Sequence, residues 1–231
     1  YVFDNRSTDR TSEIARQAGA KVIFSPRRGK GNVIRHMFDL VDSPFYLMAD
    51  GDATYPCEEA PKMIHTIREQ DADMVVGTRM ETYAQNAFRR FHVLGNRGVA
   101  WLISLLFGVK VTDVLSGYRA FSREFVKTVP LISAGFDVET EMTLQAAAKR
   151  FSILEIPVQY GSRPEGSVSK LNTFSDGFVV IKALTLIFKD YRPLFFFSTM
   201  GALILLASAI VGLAPISDYL RFHYVYRVPL A

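Results

Sequence analysis

Two carboxylates flanking a single glycine form the strongest chemical feature of the sequence. Asp50-Gly51-Asp52 directly follows the apolar run 45–49, which predicts a strand that ends at the first carboxylate. Carboxylate oxygens are ligands that Mg²⁺ and Mn²⁺ prefer, and the absent side chain of Gly51 lets a phosphate approach the backbone. A solvated turn can carry the same pattern, so the motif alone leaves both interpretations open.

Two other segments carry groups that could bind a nucleotide. Asp4 and Asp9 follow the first predicted strand and could accept hydrogen bonds from a ribose or a base. The loop 26–31 is basic and contains Gly29-Lys30-Gly31, so its lysine could contact a phosphate. Because this loop lacks the residue spacing of a P-loop, we give it less weight than the carboxylate pair.

A later loop, residues 162–170, combines cations with hydroxyl groups. Arginine offers a two-pronged donor, lysine a point charge and the serines further donors, which together suit a diphosphate or a phosphate monoester. A plain flexible loop can have the same composition. The candidate phosphate ligands in this loop are Arg163, Ser167, Ser169 and Lys170.

Single arginines and acids elsewhere complete the set of candidates. Arg79, Arg97 and Arg119 lie near predicted turns, where an isolated arginine is most often part of a surface ion pair. Three carboxylates are candidates for a general base that removes a proton from a hydroxyl group. They are Asp113, Glu139 and Glu141. The two glutamates lie two residues apart on a predicted helix, so at most one of them can face a site.

Short apolar strands alternate with short helices through the first part of the chain. The predicted strands are 1–3, 21–24, 45–49 and 73–76. This alternation indicates an α/β fold with a mostly parallel sheet and helices on both faces. Ligands of such sheets bind at the carboxyl ends of the strands. Asp4, Asp50 and Thr78-Arg79 each follow a strand, so we expect them at one edge of the sheet.

The last part of the chain has the composition of a membrane segment. No charged residue occurs from Pro193 to Ser217, which is long enough for a helix that crosses a bilayer. We predict a catalytic domain over 1–172, an interfacial amphipathic helix over 173–192, a transmembrane helix over 193–217, and a second membrane segment or loop over 218–231. Lys182, Lys189 and Arg192 precede the span and favour a cytoplasmic position for the domain.

Composition excludes several classes of protein. The chain has 231 residues, of which 49% are hydrophobic, so it can bury a core and is not expected to be disordered. One cysteine cannot form an internal disulfide. The net charge of +4 is spread without long basic runs, which gives no reason to expect a nucleic acid as partner. Both ends fall in apolar runs, and we expect a piece of a longer protein.

Five segments in order resemble the family-2 glycosyltransferases. The similarity is to the branch of the dolichyl-phosphate mannose synthase type, which transfers sugars to polyprenyl phosphates, in its bacterial membrane-anchored form. The segments are Asp4–Thr11, Gly29–Gly31, Asp50–Tyr55, Ser116–Arg119 and Ser162–Lys170. The residues 191–196 that open the predicted span are also similar to that branch. Five motifs in the family's order are far more specific than any one of them.

This resemblance implies a nucleotide-binding fold of the glycosyltransferase-A type, a nucleoside-diphosphate sugar as donor, and a divalent metal. It assigns Asp4 to the nucleoside, and Asp50 and Asp52 to the metal and the donor diphosphate. The cations that it assigns to the phosphates of donor or acceptor are Arg79, Arg97, Arg119, Arg163 and Lys170. A glutamine that often follows the second aspartate by two residues is Thr54 here, which leaves the sugar open.

The sequence therefore predicts an inverting glycosyltransferase of the inner membrane that moves a sugar from a nucleoside diphosphate to a polyprenyl phosphate on the cytoplasmic side. A phosphate monoester is already an anion near neutral pH, so this reaction needs no general base. Two alternatives stay open: transfer to a hydroxyl of a cell-surface glycan or glycolipid, and a non-catalytic membrane protein that binds nucleotide sugars. The sequence is compatible with a homo-oligomer.

Overall fold

The computed structural model describes residues 1–79, 90–135, 138–161, 185, 188–190 and 192–224. The chain divides into two compact units, residues 1–184 and 185–231. Most of the predicted interfacial helix, residues 173–184, lies outside the described residues, as do the last residues, 225–231.

Strands and helices alternate through the first unit as the sequence predicts. The strands are β1 (Val2–Asp4), β2 (Val22–Phe24), β3 (Phe45–Met48), β4 (Met74–Thr78), β5 (Arg119–Ser122) and β6 (Ile153–Pro157). The helices are α1 (Thr11–Gln17), α2 (Lys30–Leu40), α3 (Ala60–Glu69), α4 (Arg90–Phe107), α5 (Arg123–Thr128) and α6 (Val138–Ala148), with a 3₁₀ turn at Cys57–Glu59. The sequence analysis missed α5, which begins where the Ser122 hydroxyl accepts a hydrogen bond from the Phe125 amide.

The strands form two groups. β1 and β2 pair in parallel, and the other four strands form a sheet in the order β3-β5-β4-β6. β4 and β6 are parallel, whereas β5 runs antiparallel to both of its neighbours. Three of these four strands point the same way, which confirms the predicted α/β class. Met48 and Val76 both pair with Arg119, the first residue of β5. The segment before β5 therefore lies at the edge of the sheet where β3 and β4 end.

Both faces of the four-stranded sheet are buried. Along β4, Met74 and Val76 pack into one apolar cluster with Phe38, while Val75 packs into a second cluster with Met63. This alternation follows from the two-residue period of a strand, and it explains why β4 is apolar without interruption. The core thereby fixes the strand ends at which the polar segments lie.

The second unit contains one long apolar helix, α7 (Pro193–Phe222), of 30 residues. The mean hydropathy over 18 consecutive residues of this helix reaches 2.3, and none of those residues is buried. By length and composition the helix could cross a membrane. The helix begins with Pro193, a residue that fits the first helical turn. It extends past the predicted end of the span at Ser217 to Phe222.

Candidate active site

Asp50 lies directly after β3 and forms a close ion pair. Its Oδ1 atom is 2.6 Å from the Nζ atom of Lys30, which is the first residue of α2. A methyl group on Gly117 would stand 2.5 Å from the Oδ2 atom of Asp50, closer than real contacts allow. Glycine at this position of the Ser116–Arg119 motif therefore lets the carboxylate lie against the backbone before β5.

Asp52 is held by its own turn. Its Oδ1 atom accepts hydrogen bonds from the Thr54 hydroxyl at 2.6 Å and from the Thr54 amide at 3.3 Å. Between them Ala53 has a φ of +57°, a left-handed conformation that costs a non-glycine residue energy. Thr54 stands where the resembling family often has glutamine, and here it orients the second carboxylate of the pair.

Lys30 bridges two carboxylates, because its ammonium also forms an ion pair with Glu139 of α6. Burial alone would lower the pKa of Lys30, but the charges and hydrogen bonds of Glu139 and Asp50 outweigh it and raise that pKa. The lysine is therefore charged at neutral pH. Among the described residues, the Oε2 atom of Glu139 is buried and accepts no hydrogen bond.

The glycines on either side of Lys30 allow α2 to approach the loop before α6. Gly29 has a φ of +115°, and a methyl group on it would stand 2.1 Å from the carbonyl oxygen of Ala134. A methyl group on Gly31 would stand 2.1 Å from the carbonyl oxygen of Ser133. Both oxygens of Glu141 hold this loop by accepting 2.8 Å hydrogen bonds from the amides of Ile132 and Ser133. Glu141 thus supports the position of Lys30 from a distance.

Replacing Gly31 by alanine is expected to destabilise the domain. The added methyl group would collide with backbone, which cannot rotate away as a side chain can, and such overpacking costs about 1–3 kcal/mol. The midpoint of thermal unfolding should fall accordingly. Gly98→Ala is the matched control, because Gly98 has open space around its α-carbon and alanine favours a helix. An unchanged midpoint for Gly31→Ala would contradict the close approach.

Asp4 and Asp9 organise the loop between β1 and α1. The Oδ1 atom of Asp4 accepts a hydrogen bond of 2.8 Å from the amide of Ser7, and its Oδ2 atom accepts one from the Ser12 hydroxyl. Asp9 accepts from the amide and the hydroxyl of Thr11. These hydrogen bonds lower the pKa of both carboxyl groups, so the half-buried Asp4 and the exposed Asp9 are ionised at neutral pH.

Asn5 connects the two loops that carry the predicted nucleotide contacts. Its amide nitrogen donates to the carbonyl oxygens of Ser25 and Arg27 at 2.9 and 2.8 Å, and its oxygen accepts from the Gly29 amide at 3.1 Å. The side chain thus joins the end of β1 to the start of α2. Asn5 lies in the first motif that was identified from the sequence, but no role was predicted for it.

Arg79 follows β4 and is bound by Asp113. Two guanidinium nitrogens of Arg79 donate to the two carboxylate oxygens of Asp113 at 2.9 Å, and the Arg79 amide donates at 3.1 Å. Asn96 of α4 donates a further bond of 2.9 Å to the same carboxylate. The guanidinium of Arg79 lies over the ring of Tyr160, 5.5 Å from its centre. Asp113 therefore sets the orientation of Arg79.

Acid is expected to lower the stability of the domain because it protonates Asp113. Burial alone would raise the pKa of Asp113, but Arg79 and Asn96 outweigh it, and the pKa lies below its usual value. As the pH falls from the unfolded pKa, about 3.9, through the lowered folded pKa, the unfolded chain binds more protons, so this stabilisation is lost.

This loss of stability can be measured by denaturant unfolding between neutral and acid pH. Asp113→Asn should be less stable than wild type at neutral pH and lose less on acidification. Asp39→Asn, the same change on an exposed part of α2, serves as the control. Parallel pH profiles for wild type and Asp113→Asn would contradict the assignment.

Three tyrosines pack together beside the turn that carries the carboxylate pair, and one of them, Tyr160, lines a cavity. Tyr55 stacks on Tyr118 with 5.0 Å between ring centres and meets Tyr160 edge to face at 5.3 Å. The hydroxyl of Tyr55 accepts a bond of 3.0 Å from the Gly117 amide. A cavity of about 380 Å³ lies between this turn and the residues after β6, and it is lined by Ala53, Thr54, Pro56, Gln159, Tyr160 and Gly161.

Arg119 lies in the core, not in the site. Its side chain is 0% exposed, and its nitrogens donate to the carbonyl oxygens of Ser116 and Val114 and to the Thr143 hydroxyl at 2.7–2.9 Å. Burial lowers its pKa to about 10, which still leaves it charged at neutral pH. The sequence-based role in phosphate binding is therefore corrected: Arg119 is a positioning residue that fixes the segment before β5.

The remaining candidates are separated from this cluster or lie outside the described residues. Arg97 is exposed on α4. The structure brings together Asp50, Lys30 and Glu139, and it brings Arg79 together with Asp113. The predicted phosphate ligands that fall outside the described residues are Arg163, Ser167, Ser169 and Lys170.

Comparison with known proteins identifies the class to which this fold and site belong. A model of the family described as "Glycosyl transferase family 2" matches residues 1–129. Glycosyltransferase AglJ of Haloferax volcanii is 36% identical over 227 residues, which cover 98% of this chain and 73% of that protein. The chain belongs to glycosyl transferase family 2, which confirms the family predicted from its motifs.

Other similar proteins extend this relationship. The dolichyl-phosphate hexose transferase of Haloferax volcanii is 31% identical over 186 residues, which cover 80% of this chain and 79% of that protein. The crystal structure of glucosyl-3-phosphoglycerate synthase from Mycobacterium tuberculosis in complex with Mn²⁺, UDP and glucosyl-3-phosphoglycerate has a TM-score of 0.66 at 21% identity. The match covers 80% of this chain and 67% of that one, and it confirms the predicted fold.

Proposed function

We propose that the protein is an inverting glycosyltransferase that moves a sugar from a nucleoside diphosphate to a polyprenyl phosphate at the cytoplasmic face of a membrane. Membership of glycosyl transferase family 2 supports the transfer of a sugar. The observation that carries the lipid acceptor is α7, a 30-residue apolar helix that follows the catalytic unit in the same chain. The relative whose name specifies dolichyl phosphate supports the same acceptor class.

The basic residues before α7 support a cytoplasmic position of the catalytic unit. Lys182, Lys189 and Arg192 precede α7 closely in the sequence, and cytoplasmic flanks of membrane helices are enriched in such cations. A polyprenyl phosphate keeps its chain in the bilayer and its phosphate at the surface. Tethering the enzyme to the same membrane raises the effective concentration of that acceptor.

The donor set of the site fits Mg²⁺ or Mn²⁺. Asp50 and Asp52 supply hard oxygen atoms, and Asp50 already accepts a cation, the ammonium of Lys30. Among the described residues no cluster of three or more His, Cys, Asp or Glu side chains could hold a metal ion alone. One or two carboxylates completed by substrate phosphates are typical of such ions, which when bound would offset charge on the leaving diphosphate.

The described side chains favour a phosphate as nucleophile. Asp113 is fully engaged by Arg79 and Asn96, and Glu141 binds two backbone amides, so both are poorly placed to accept a proton. A lipid phosphate attacks the anomeric carbon with its own oxygen, and the bond to the donor diphosphate breaks on the opposite face. Among the described residues, Lys30 and Arg79 are the cations that we assign to the phosphates.

Transfer to a hydroxyl group is the second candidate, and one observation favours it. Glu139 lies beside Lys30 and Asp50, and its Oε2 atom accepts no hydrogen bond among the described residues. A carboxylate with a free oxygen at the site could remove a proton from a hydroxyl acceptor. Glu139 is therefore the base that this alternative would require.

Competing acceptors distinguish the two reactions. The purified 231-residue protein, with Mn²⁺ and a panel of labelled GDP- and UDP-sugars, is given either a polyprenyl phosphate or the free alcohol of the same chain length. We expect label in the phosphate product only. Transfer to the alcohol that is lost in Glu139→Gln would support the alternative and overturn the proposal.

A further inference from the structure

One exposed face of α4 has the chemistry of a membrane surface contact. Arg97, Trp101 and Leu105 are spaced four residues apart and therefore lie on the same face of the helix. Trp101 is 65% exposed and Leu105 64% exposed. The opposite face, with Asn96, Ala100 and Ile103, is buried in the domain. The exposed face is here called the Trp101 face.

The stretch of sequence that contains α4 carries charge of one sign. No acidic residue occurs between Glu81 and Asp113, whereas the same stretch of sequence contains four basic residues. These are Arg89, Arg90, Arg97 and Lys110. A basic helix with tryptophan and leucine on one face is typical of segments that lie in the headgroup region of anionic membranes.

We infer that the Trp101 face of α4 lies in the headgroup region of an anionic lipid bilayer and holds the catalytic unit against the membrane. Tryptophan prefers this region because its ring is apolar and its N–H group is a donor. Arg97 at one end of the face would meet lipid phosphates, and Leu105 would enter the acyl chains. The inference rests on the proposed function, because it takes the membrane as the place of catalysis.

A second copy of the chain fits this face less well. Trp101, whose ring is of a type that buries about 150–250 Å², and the smaller Leu105 are each roughly two thirds exposed, so together they offer far less area than the ~800 Å² that each partner of a stable complex contributes. A stable dimer would need a wider apolar surface. A bilayer needs only a few apolar anchors when basic residues and a membrane helix contribute to the attachment.

Fluorescence of Trp101 tests the inference directly, because Trp101 is the one tryptophan of this chain. The protein is reconstituted in phosphatidylglycerol-containing vesicles whose lipids carry a nitroxide quencher either near the headgroup or near the end of the acyl chain. We expect strong quenching by the shallow label, weaker quenching by the deep label, and an emission maximum at shorter wavelength than in detergent. Emission that neither label quenches would overturn the inference.

Two tryptophan relocations in a Trp101→Phe background serve as controls. Leu205→Trp reports on α7, where deep quenching is expected. If that tryptophan is quenched and Trp101 is not, the inference fails while the membrane tether stands; if neither is quenched, both fail. Ile14→Trp places the probe at an apolar position on α1 that is 57% exposed. Quenching there equal to that of Trp101 would mean that the labels reach the whole domain, and would overturn the assignment to α4.

Emission from Trp101 that shifts with protein concentration in detergent, with no quenching by lipid, would identify a second copy as the occupant of the face. That result would also overturn the inference.

Discussion

Replacing Asp50 by asparagine is expected to lower the rate of sugar transfer by about 10²–10³-fold, the usual cost of losing one group that stabilises charge in a transition state. Asparagine keeps the shape of the side chain but removes its negative charge. Lys30 would then have one carboxylate partner instead of two, and a divalent ion would lose a ligand. Initial rates at saturating donor, with and without added Mn²⁺, measure the effect.

Asp42→Asn is the matched control, because Asp42 pairs with Arg123 on the surface, where both side chains are mostly exposed. It should transfer sugar at the wild-type rate. Full activity in Asp50→Asn would rule out Asp50 as a functional carboxylate. A loss of folded protein in Asp50→Asn, detected by circular dichroism, would assign the effect to stability instead.

Replacing Arg119 by methionine is expected to lower the free energy of unfolding by about 3–5 kcal/mol, which is typical when one partner is removed from a buried charged network. Methionine fills a similar volume, but it leaves the carbonyl oxygens of Ser116 and Val114 without their donor. Because domains of this kind are stable by about 5–15 kcal/mol, the loss takes up much of the total. Denaturant unfolding measures it.

Arg123→Met tests whether the effect is specific to the core. Arg123 is the next arginine in the sequence and is largely exposed, so its replacement should change stability by no more than about 0.5 kcal/mol. A variant Arg119→Met that keeps wild-type stability but loses transfer would contradict the buried position and restore the direct phosphate contact predicted from the sequence.

The order of the elements could be predicted because each strand is a short apolar run followed by a polar turn. Phe45–Met48 is such a run, and its end correctly located Asp50 at the edge of the sheet. The antiparallel direction of β5 could not be predicted, because the sequence of an apolar strand does not indicate whether it runs parallel or antiparallel to its neighbours. α2 begins at Lys30, within the segment 26–31 that the sequence indicated as a loop, and this places the lysine beside Asp50.

The contacts between residues of the site could not be predicted from the sequence, for a different reason. Arg79 and Asp113 are 34 residues apart, and Lys30 and Glu139 are joined only when α2 and α6 pack on the same sheet. Asn5 and Asn96 looked like ordinary polar residues because their roles depend on which backbone groups and carboxylates surround them. Arg119 followed a family motif, and only its burial revealed that it acts through the fold.

The acceptor is tested most directly in membranes that contain the 231-residue protein. They are incubated with Mn²⁺ and labelled GDP- or UDP-sugars, and the lipids are then extracted. We predict that label from one donor enters the organic phase in a product that mild acid hydrolyses, and that Asp50→Asn membranes form this product about 10²–10³-fold more slowly. Label that appears only in water-soluble or polymeric glycan would contradict transfer to a lipid phosphate.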